Sequence, residues 1–313
     1  MLQFLIRRSI QGIPILFGVS IITFALVHLM PGGIVDSLVP PGAPPGLREE
    51  IERIYGLDRP LWEQYLLWLR QVLQGNFGIS LVTGRPIAEE LVAALLNSFK
   101  ITLAAAVVGF SLGIAFGVLA ALHSGRWPDK LFSLFSIAGV SVPPFWFAIL
   151  LVTVFAFQLN WLPAQGMGPE GIPTSWTQWR HMILPIATLS MIPMGVVGRV
   201  VRAATLEVLS QEFVTALSAK GLQMDAIRRH VARNAAPTIL AVMGLQFGHL
   251  IGGSILVETV FNWPGTGKLL NLAIFSGDIP VIQATVLLLS VIFVILNLGV
   301  DTAQALIDPR MRR

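Results

Sequence analysis

Apolar residues along this chain fall in long, nearly unbroken runs instead of alternating or striping one side of a helix. A helix needs roughly 20 consecutive apolar residues to cross the hydrocarbon core of a bilayer. Six runs reach or approach that length: 10–30, 101–122, 131–159, 182–198, 235–257 and 279–300. The first holds only His28 as an ionisable group, and the fifth only His249. The third has none, but Pro143-Pro144 should kink or interrupt it, because proline removes a backbone donor and clashes with the preceding turn. The fourth is short and contains Pro185 and Pro193, which makes it the weakest of the six. The first run is too long for the apolar region of a signal peptide, and Met30-Pro31-Gly32-Gly33 is not a small-x-small cleavage site.

Three polar segments lie between the runs. Segment 31–100 opens on Pro40-Pro41-Gly42-Ala43-Pro44-Pro45-Gly46, which must be a loop. The spacing then predicts short helices over 47–55 and 61–73, the second with Leu61, Tyr65, Trp68, Leu69 and Val72 at helical intervals. The segment reads as a small cap on the outer span ends and as a surface on which a soluble delivery protein docks. Segment 210–234 predicts a helix–Gly–helix elbow. Ser210 is placed to cap the first helix, with Glu212 in its first turn, and the helix ends at Gly221, where the chain turns without steric penalty. The second helix has Asp225 early and Arg228, Arg229 and Arg233 late, matching the helix dipole at both ends. Pro237 is expected to begin the next span. Taken alone, those arginines also fit a polar loop. Segment 258–278 contains Gly265-Thr266-Gly267-Lys268, which looks like the end of a phosphate-binding loop. That pattern needs Gly at 262 and Ser or Thr at 269, where the chain has Asn262 and Leu269. A tight turn joining spans five and six is expected instead.

Composition agrees with a membrane protein. The 313 residues are 54% hydrophobic and only 12% charged, too few charges to cover a soluble core of this size. The pI near 10 does not indicate nucleic acid, because the basic residues cluster at the ends of apolar runs. With both termini assigned to the cytoplasm, that side holds Arg7, Arg8, Arg126, Lys130, Arg199, Arg202, Lys220, Arg228, Arg229, Arg233, Arg310, Arg312 and Arg313. The two short external loops then hold only Arg180 and Lys268, as the inside-positive rule requires. Trp161, Trp176, Trp179 and Trp263 fall at external span ends, where amphipathic rings favour the interface. The absence of cysteine excludes disulfides, thiolate nucleophiles and Cys-based metal sites.

Polar residues within the runs are the pathway candidates: Gln246, His249 and Asn297, with Thr188 and Ser190, and Glu258 and Asp301 near run ends. For His28 and His249 packing against neighbouring helices is the readier account, and Asp301 is expected at the inner interface. Gly109, Gly113 and Gly117, and Gly244, Gly248, Gly252 and Gly253, recur at four-residue spacing, which favours close helix packing over solute contact.

At the elbow the sequence resembles the membrane subunits of ABC importers, specifically the permease family for dipeptides, oligopeptides, glutathione and nickel. Thr215-Ala216-Leu217 stands where that family carries Glu-Ala-Ala, with Gly221 as the motif glycine and Ala219-Lys220-Gly221-Leu222 around it. Tyr55-Gly56-Leu57-Asp58-Arg59-Pro60, Gly75-Asn76-Phe77-Gly78, Ile183-Leu184-Pro185, Phe261-Asn262-Trp263-Pro264-Gly265, Asp278-Ile279-Pro280 and Asp308-Pro309-Arg310 also look like the family pattern, so the likeness spans the chain in order. Pro31-Gly32-Gly33-Ile34 departs from the family's Pro-Gly-Asp-Pro, and Ser218 sits where Arg is common.

The resemblance implies an all-α polytopic membrane protein of six transmembrane helices with the type I ABC importer permease fold and an external helical insertion between spans one and two. It divides the chain into a tip and first span (1–30), the insertion (31–100), a five-span transmembrane domain (101–303) with a coupling elbow (204–234), and a cytoplasmic tail (304–313). It implies a non-catalytic subunit in the plasma membrane of a bacterium or archaeon that imports di- or oligopeptides. Glutathione or nickel remains as an alternative solute. The implied partners are a second homologous permease, two cytoplasmic ATPases that bind ATP and Mg, and an external substrate-binding protein. This chain itself would bind membrane lipid but no cofactor, metal or nucleic acid. Thr215, Ala216, Ala219, Lys220, Gly221, Leu222 and Asp225 would contact the ATPase. An ion-coupled secondary transporter would want an internal repeat and a mid-membrane carboxylate, and a membrane enzyme a paired catalytic constellation; the sequence offers neither.

Overall fold

The computed structural model describes residues 2–29, 46, 58–169, 171 and 173–307. They form helices α1 (Leu2–His28), α2 (Leu61–Leu73), α3 (Ile87–Leu122), α4 (Trp127–Ser141), α5 (Pro144–Leu151), α6 (Trp176–Leu209), α7 (Glu212–Ala219), α8 (Met224–Val260), α9 (Thr266–Ser276) and α10 (Ile279–Ile307). Five helices are long and apolar enough to cross a membrane. Helices α4 and α5, the latter continued by a π-helical stretch Val152–Gln158, are bent by 104° and bring the number to six when counted as one broken span. The break falls at Pro143-Pro144, where the sequence places it. Helix α2 matches its predicted range, whereas the helix expected over 47–55 lies outside the described residues. The helix that carries the second run begins at Ile87, fourteen residues before the run itself, so the end of the insertion is already helical.

Helix α6 is the hub. Its span was expected over 182–198 but covers 34 residues, and it is the most buried of the candidate spans. Hydropathy undercounts it because Thr188, Ser190, Gly195 and Gly198 face protein instead of lipid. Both internal prolines are tolerated because neighbouring helices surround the freed backbone groups. Its start is a capping box in which Ser175 and Gln178 bond each other's backbone N–H.

The most extensive contact in the fold is between α3 and α6. Gly109, Gly113 and Gly117 present a small-residue stripe, as the spacing predicts. A Cβ at Gly109 would lie 2.9 Å from the Ser190 carbonyl, one at Gly113 2.9 Å from that of Met194, and one at Gly117 2.5 Å from that of Gly198. Backbone therefore packs directly on backbone. On the other side of α6, Ser136 Oγ donates to Gly195 O at 2.7 Å, and the Phe132 ring fills the place of a Gly198 side chain. Asp129 ties α4 to α6: its carboxylate takes Nε and Nη2 of Arg202 at 2.5 and 2.8 Å and the Gly125 N–H at 2.9 Å.

In the second glycine series, Gly244 packs against Val300 and Gly248 against Phe293, but Gly252 and Gly253 face open space. Four-residue spacing alone does not bring the latter pair into a helix contact. Helix α1 packs on α10, where Gly12 admits Val294 and Arg8 pairs with Asp301 at 3.3 Å. At its far end His28 stacks on Phe24 and bonds Gln64 at 3.0 Å, so it packs as expected.

The 258–278 segment corrects the expected tight turn. It holds the eleven-residue helix α9, whose first turn is capped by Glu258, a side chain with no exposure. Ser98 Oγ donates to one carboxylate oxygen at 2.7 Å, and the Gly267 and Lys268 N–H groups donate to the other at 2.7 and 3.2 Å. A Cβ at Gly265 would strike that carboxylate. Trp263, expected at the interface, is instead 1% exposed with Nε1 donating to Asn97 O at 2.9 Å, because this lock draws it inward. Trp161, Trp176 and Trp179 are exposed. Asp278 fastens the insertion to α10, taking Ser80 Oγ at 2.5 Å and the Leu81 N–H at 3.3 Å.

Two stability outcomes follow. Gly117→Leu should destabilise the detergent-solubilised protein by about 3 kcal/mol or more through overpacking of the seam, while Gly252→Ala should stay within about 0.5 kcal/mol. Thermal unfolding of the two variants side by side checks this. Glu258→Ala leaves the Gly267 and Lys268 N–H groups unpaired and should cost about 2–3 kcal/mol, with faster proteolysis inside 262–276. Glu258→Gln should recover part of that loss.

Candidate functional site

The elbow is one short helix slung between two long ones. Ser210 ends α6, its Oγ donating back to Glu207 O at 2.8 Å, because α6 runs on to Leu209. It does not cap α7; Gln211 occupies that position. Val214, with Phe213 and Leu217, packs α7 onto Ala204 and Val208 of α6 and onto Ile227, Val231 and Ala235 of α8. Gly221 has φ +78°. It ends α7 in a Schellman motif, with Gly221 N–H bonded to Ser218 O at 3.0 Å and Leu222 N–H to Leu217 O at 3.3 Å. Leu222 joins the apolar cluster, as that motif favours. Helix α8 then runs unbroken through Pro237, so the predicted second elbow helix and the fifth span are one element. Of the residues expected to meet an ATPase, Thr215, Ala216, Ala219, Lys220, Gly221 and Asp225 are exposed, and only Leu222 turns inward. Asp225 pairs with Arg228 at 3.1 Å across an exposed turn.

The four pathway candidates separate. Glu258 is consumed by the cap on α9 and faces no pathway. Asn297 is half-buried on α10, apart from the others. Gln246 and His249 come together on α8 and line a cavity of about 80 Å3 with Pro144 of α5, Thr188 and Pro193 of α6, and Gly253. His249 is exposed and does not pack in the core. Thr188 Oγ1 donates to Leu184 O at 2.9 Å. Sequence reasoning had Thr188 as a polar span residue and Pro144 as a kink, but nothing in the spacing joined them to Gln246. A second cavity of about 190 Å3 lies beside Asn160, Thr177, Arg180 and His181, where Arg180 donates to Trp161 O at 2.7 Å.

Residues 113–313 match the family described as binding-protein-dependent transport system inner membrane component, and residues 1–86 match its N-terminal family. The chain is 38% identical over 313 residues to the glutathione transport system permease proteins of Escherichia coli strain K12 and of Shigella dysenteriae, covering 100% of this chain and 99% of each relative. Among solved structures, an inward-facing methionine ABC transporter, MetNI, matches with a TM-score of 0.57 at 18% identity, over 70% of this chain and 96% of that one. That likeness bears on the fold, and it agrees with the helical order above. Sequence, fold and helical elbow converge: the chain belongs to the family of inner-membrane components of binding-protein-dependent transport systems and is an ABC importer permease subunit.

Proposed function

We propose that this subunit forms half the pathway of an ATP-driven importer of small peptides, with glutathione-like peptides as the favoured solute. Its arginine-rich end, with both termini, faces the cytoplasm. The elbow carries the reading. Helix α7 is held rigidly between α6 and α8 by an apolar cluster, yet it presents Thr215, Ala216, Ala219, Lys220 and Gly221 to solvent at the positive end of the molecule. A short helix fixed on one face and bare on the other suits a socket on a partner.

The partners proposed are two cytoplasmic ATPases, a second permease of the same family and an external binding protein. ATPase closure pushes α7, and α6 and α8 carry the displacement into the membrane, because packed helices move as bodies instead of deforming. The glutathione permeases among its relatives favour glutathione-like solutes for this chain, and glutathione is itself a small peptide.

In proteoliposomes holding the complete complex, uptake should require ATP and persist after the ion gradients are collapsed. Uptake driven by a gradient without ATP would remove the reading. Gly221→Leu forces a side chain into a left-handed backbone position, a strain of about 1–2 kcal/mol, and adds bulk to the exposed surface. Uptake should fall at least about tenfold, with less ATPase co-purifying, while membrane insertion is normal. Unchanged uptake in that variant would sink the coupling role of the elbow.

A further inference from the structure

Helices α5, α6 and α8 meet near the middle of three apolar runs. Gln246 is the midpoint of the apolar run 235–257, Pro144 adjoins the midpoint of 131–159, and Thr188 and Pro193 bracket that of 182–198. All four line the 80 Å3 cavity, and His249 and Gly253 extend the same face of α8 at intervals of three and four residues.

The chemistry there is unbalanced. Gln246 is only 8% exposed and has no hydrogen-bond partner among the described residues, so its amide is offered to the cavity. The amide atoms themselves still reach open space, so they are free to bind a group that enters the cavity. Pro144 opens α5, and the first turn of a helix carries N–H groups without intrahelical partners at the positive end of the dipole. Pro193 has no N–H for the Leu189 carbonyl, and Leu189 also lines the cavity. Gln246 and a neutral His249 each bring both a donor and an acceptor, so the free N–H groups at the head of α5 are what tips this lining toward donors. The volume is too small for a peptide but suits a carboxylate and its α-carbon. The bulk of a solute has room beyond exposed His249, where Gly252 and Gly253 leave open space.

We propose that this cavity is a mid-membrane station that holds a carboxylate of the solute during passage, with Gln246 and His249 as binding residues and the N-terminus of α5 as the electrostatic anchor. The proposal rests on the import reading and adds the chemical group recognised. It also makes the kink at Pro143-Pro144 functional: the break places a helix end where a continuous span would offer only side chains.

The chain has no cysteine, so single substitutions report cleanly. Gln246→Cys, His249→Cys and, exposed on α3 outside the cavity lining, Val107→Cys are each assembled into the complete complex in proteoliposomes and labelled with anionic and cationic methanethiosulfonates, against the unsubstituted complex. At 246 and 249 the anionic reagent should react about fivefold faster than the cationic one, as a helix N-terminus favours negative charge. Labelling there should slow with S-methylglutathione or dialanine, whichever the unsubstituted complex transports, and not with the matching ester or amide. Val107→Cys should show neither effect. Equal reagent rates, or no protection by a solute that the complex imports, would overturn the station while leaving import intact. An unsubstituted complex that imports neither solute with ATP would overturn the import reading and the station with it.

Discussion

In hydrocarbon no water is available to satisfy backbone groups, and burying apolar surface no longer drives helices together, so they hold by close fit. Here that constraint is met at the seam where Gly109, Gly113 and Gly117 let the backbone of α3 rest on the carbonyls of Ser190, Met194 and Gly198. Everything else is arranged around the helix this seam fixes. Helix α4 is clamped to α6 through Ser136 and the Asp129–Arg202 pair, α8 packs along it, and α7 hangs from its end. The same two helices, α6 and α8, supply both the elbow cluster and the cavity wall.

The charged groups obey the same economy. Each buried acid is spent on tying one element to another, as with Asp129 to α4 and α6, Glu258 to α8 and α9, and Asp278 to the insertion and α10. Glu258 also explains why 265–268 looks like part of a phosphate loop. A glycine-rich turn into a helix N-terminus does bind an oxyanion there, but the oxyanion belongs to the protein. Gly265 and Gly267 are small for the same reason as in a phosphate loop, since a side chain at either would meet the bound carboxylate.

Run length and the prolines made the spans, the break at Pro143 and helix α2 legible in the sequence. The glycine stripe on α3 was legible too, because its partner is backbone and needs no matching sequence. What stayed hidden depended on long-range partners. Helix α6 looked weak because its polar positions face protein, although Ser175 and Gln178 marked its start. Ser210 and Pro237 carry the usual signals of a helix start, but Ser210 closes α6 instead of capping α7, and α8 runs on through Pro237. Trp263 read as an interfacial residue and Glu258 as a pathway candidate near a run end, and the contact with Ser98, 160 residues away from Glu258, draws the segment inward.

Exposed His249 gives the last step. An imidazole at the middle of an apolar span is expensive against lipid, and such groups face protein or a water-filled space. Helix α8 offers it no hydrogen-bond partner among the described residues, and the neighbouring Gly252 and Gly253 carry no side chain to cover it. An apolar residue at this position would pack against lipid at no cost, so the histidine makes physical sense only if another wall or an aqueous passage lies opposite. Permease subunits that share a pathway between two chains provide both. On the proposed reading, the face of α8 that is polar at Gln246 and His249 and bare at Gly252 and Gly253 is where a second subunit would close the pathway.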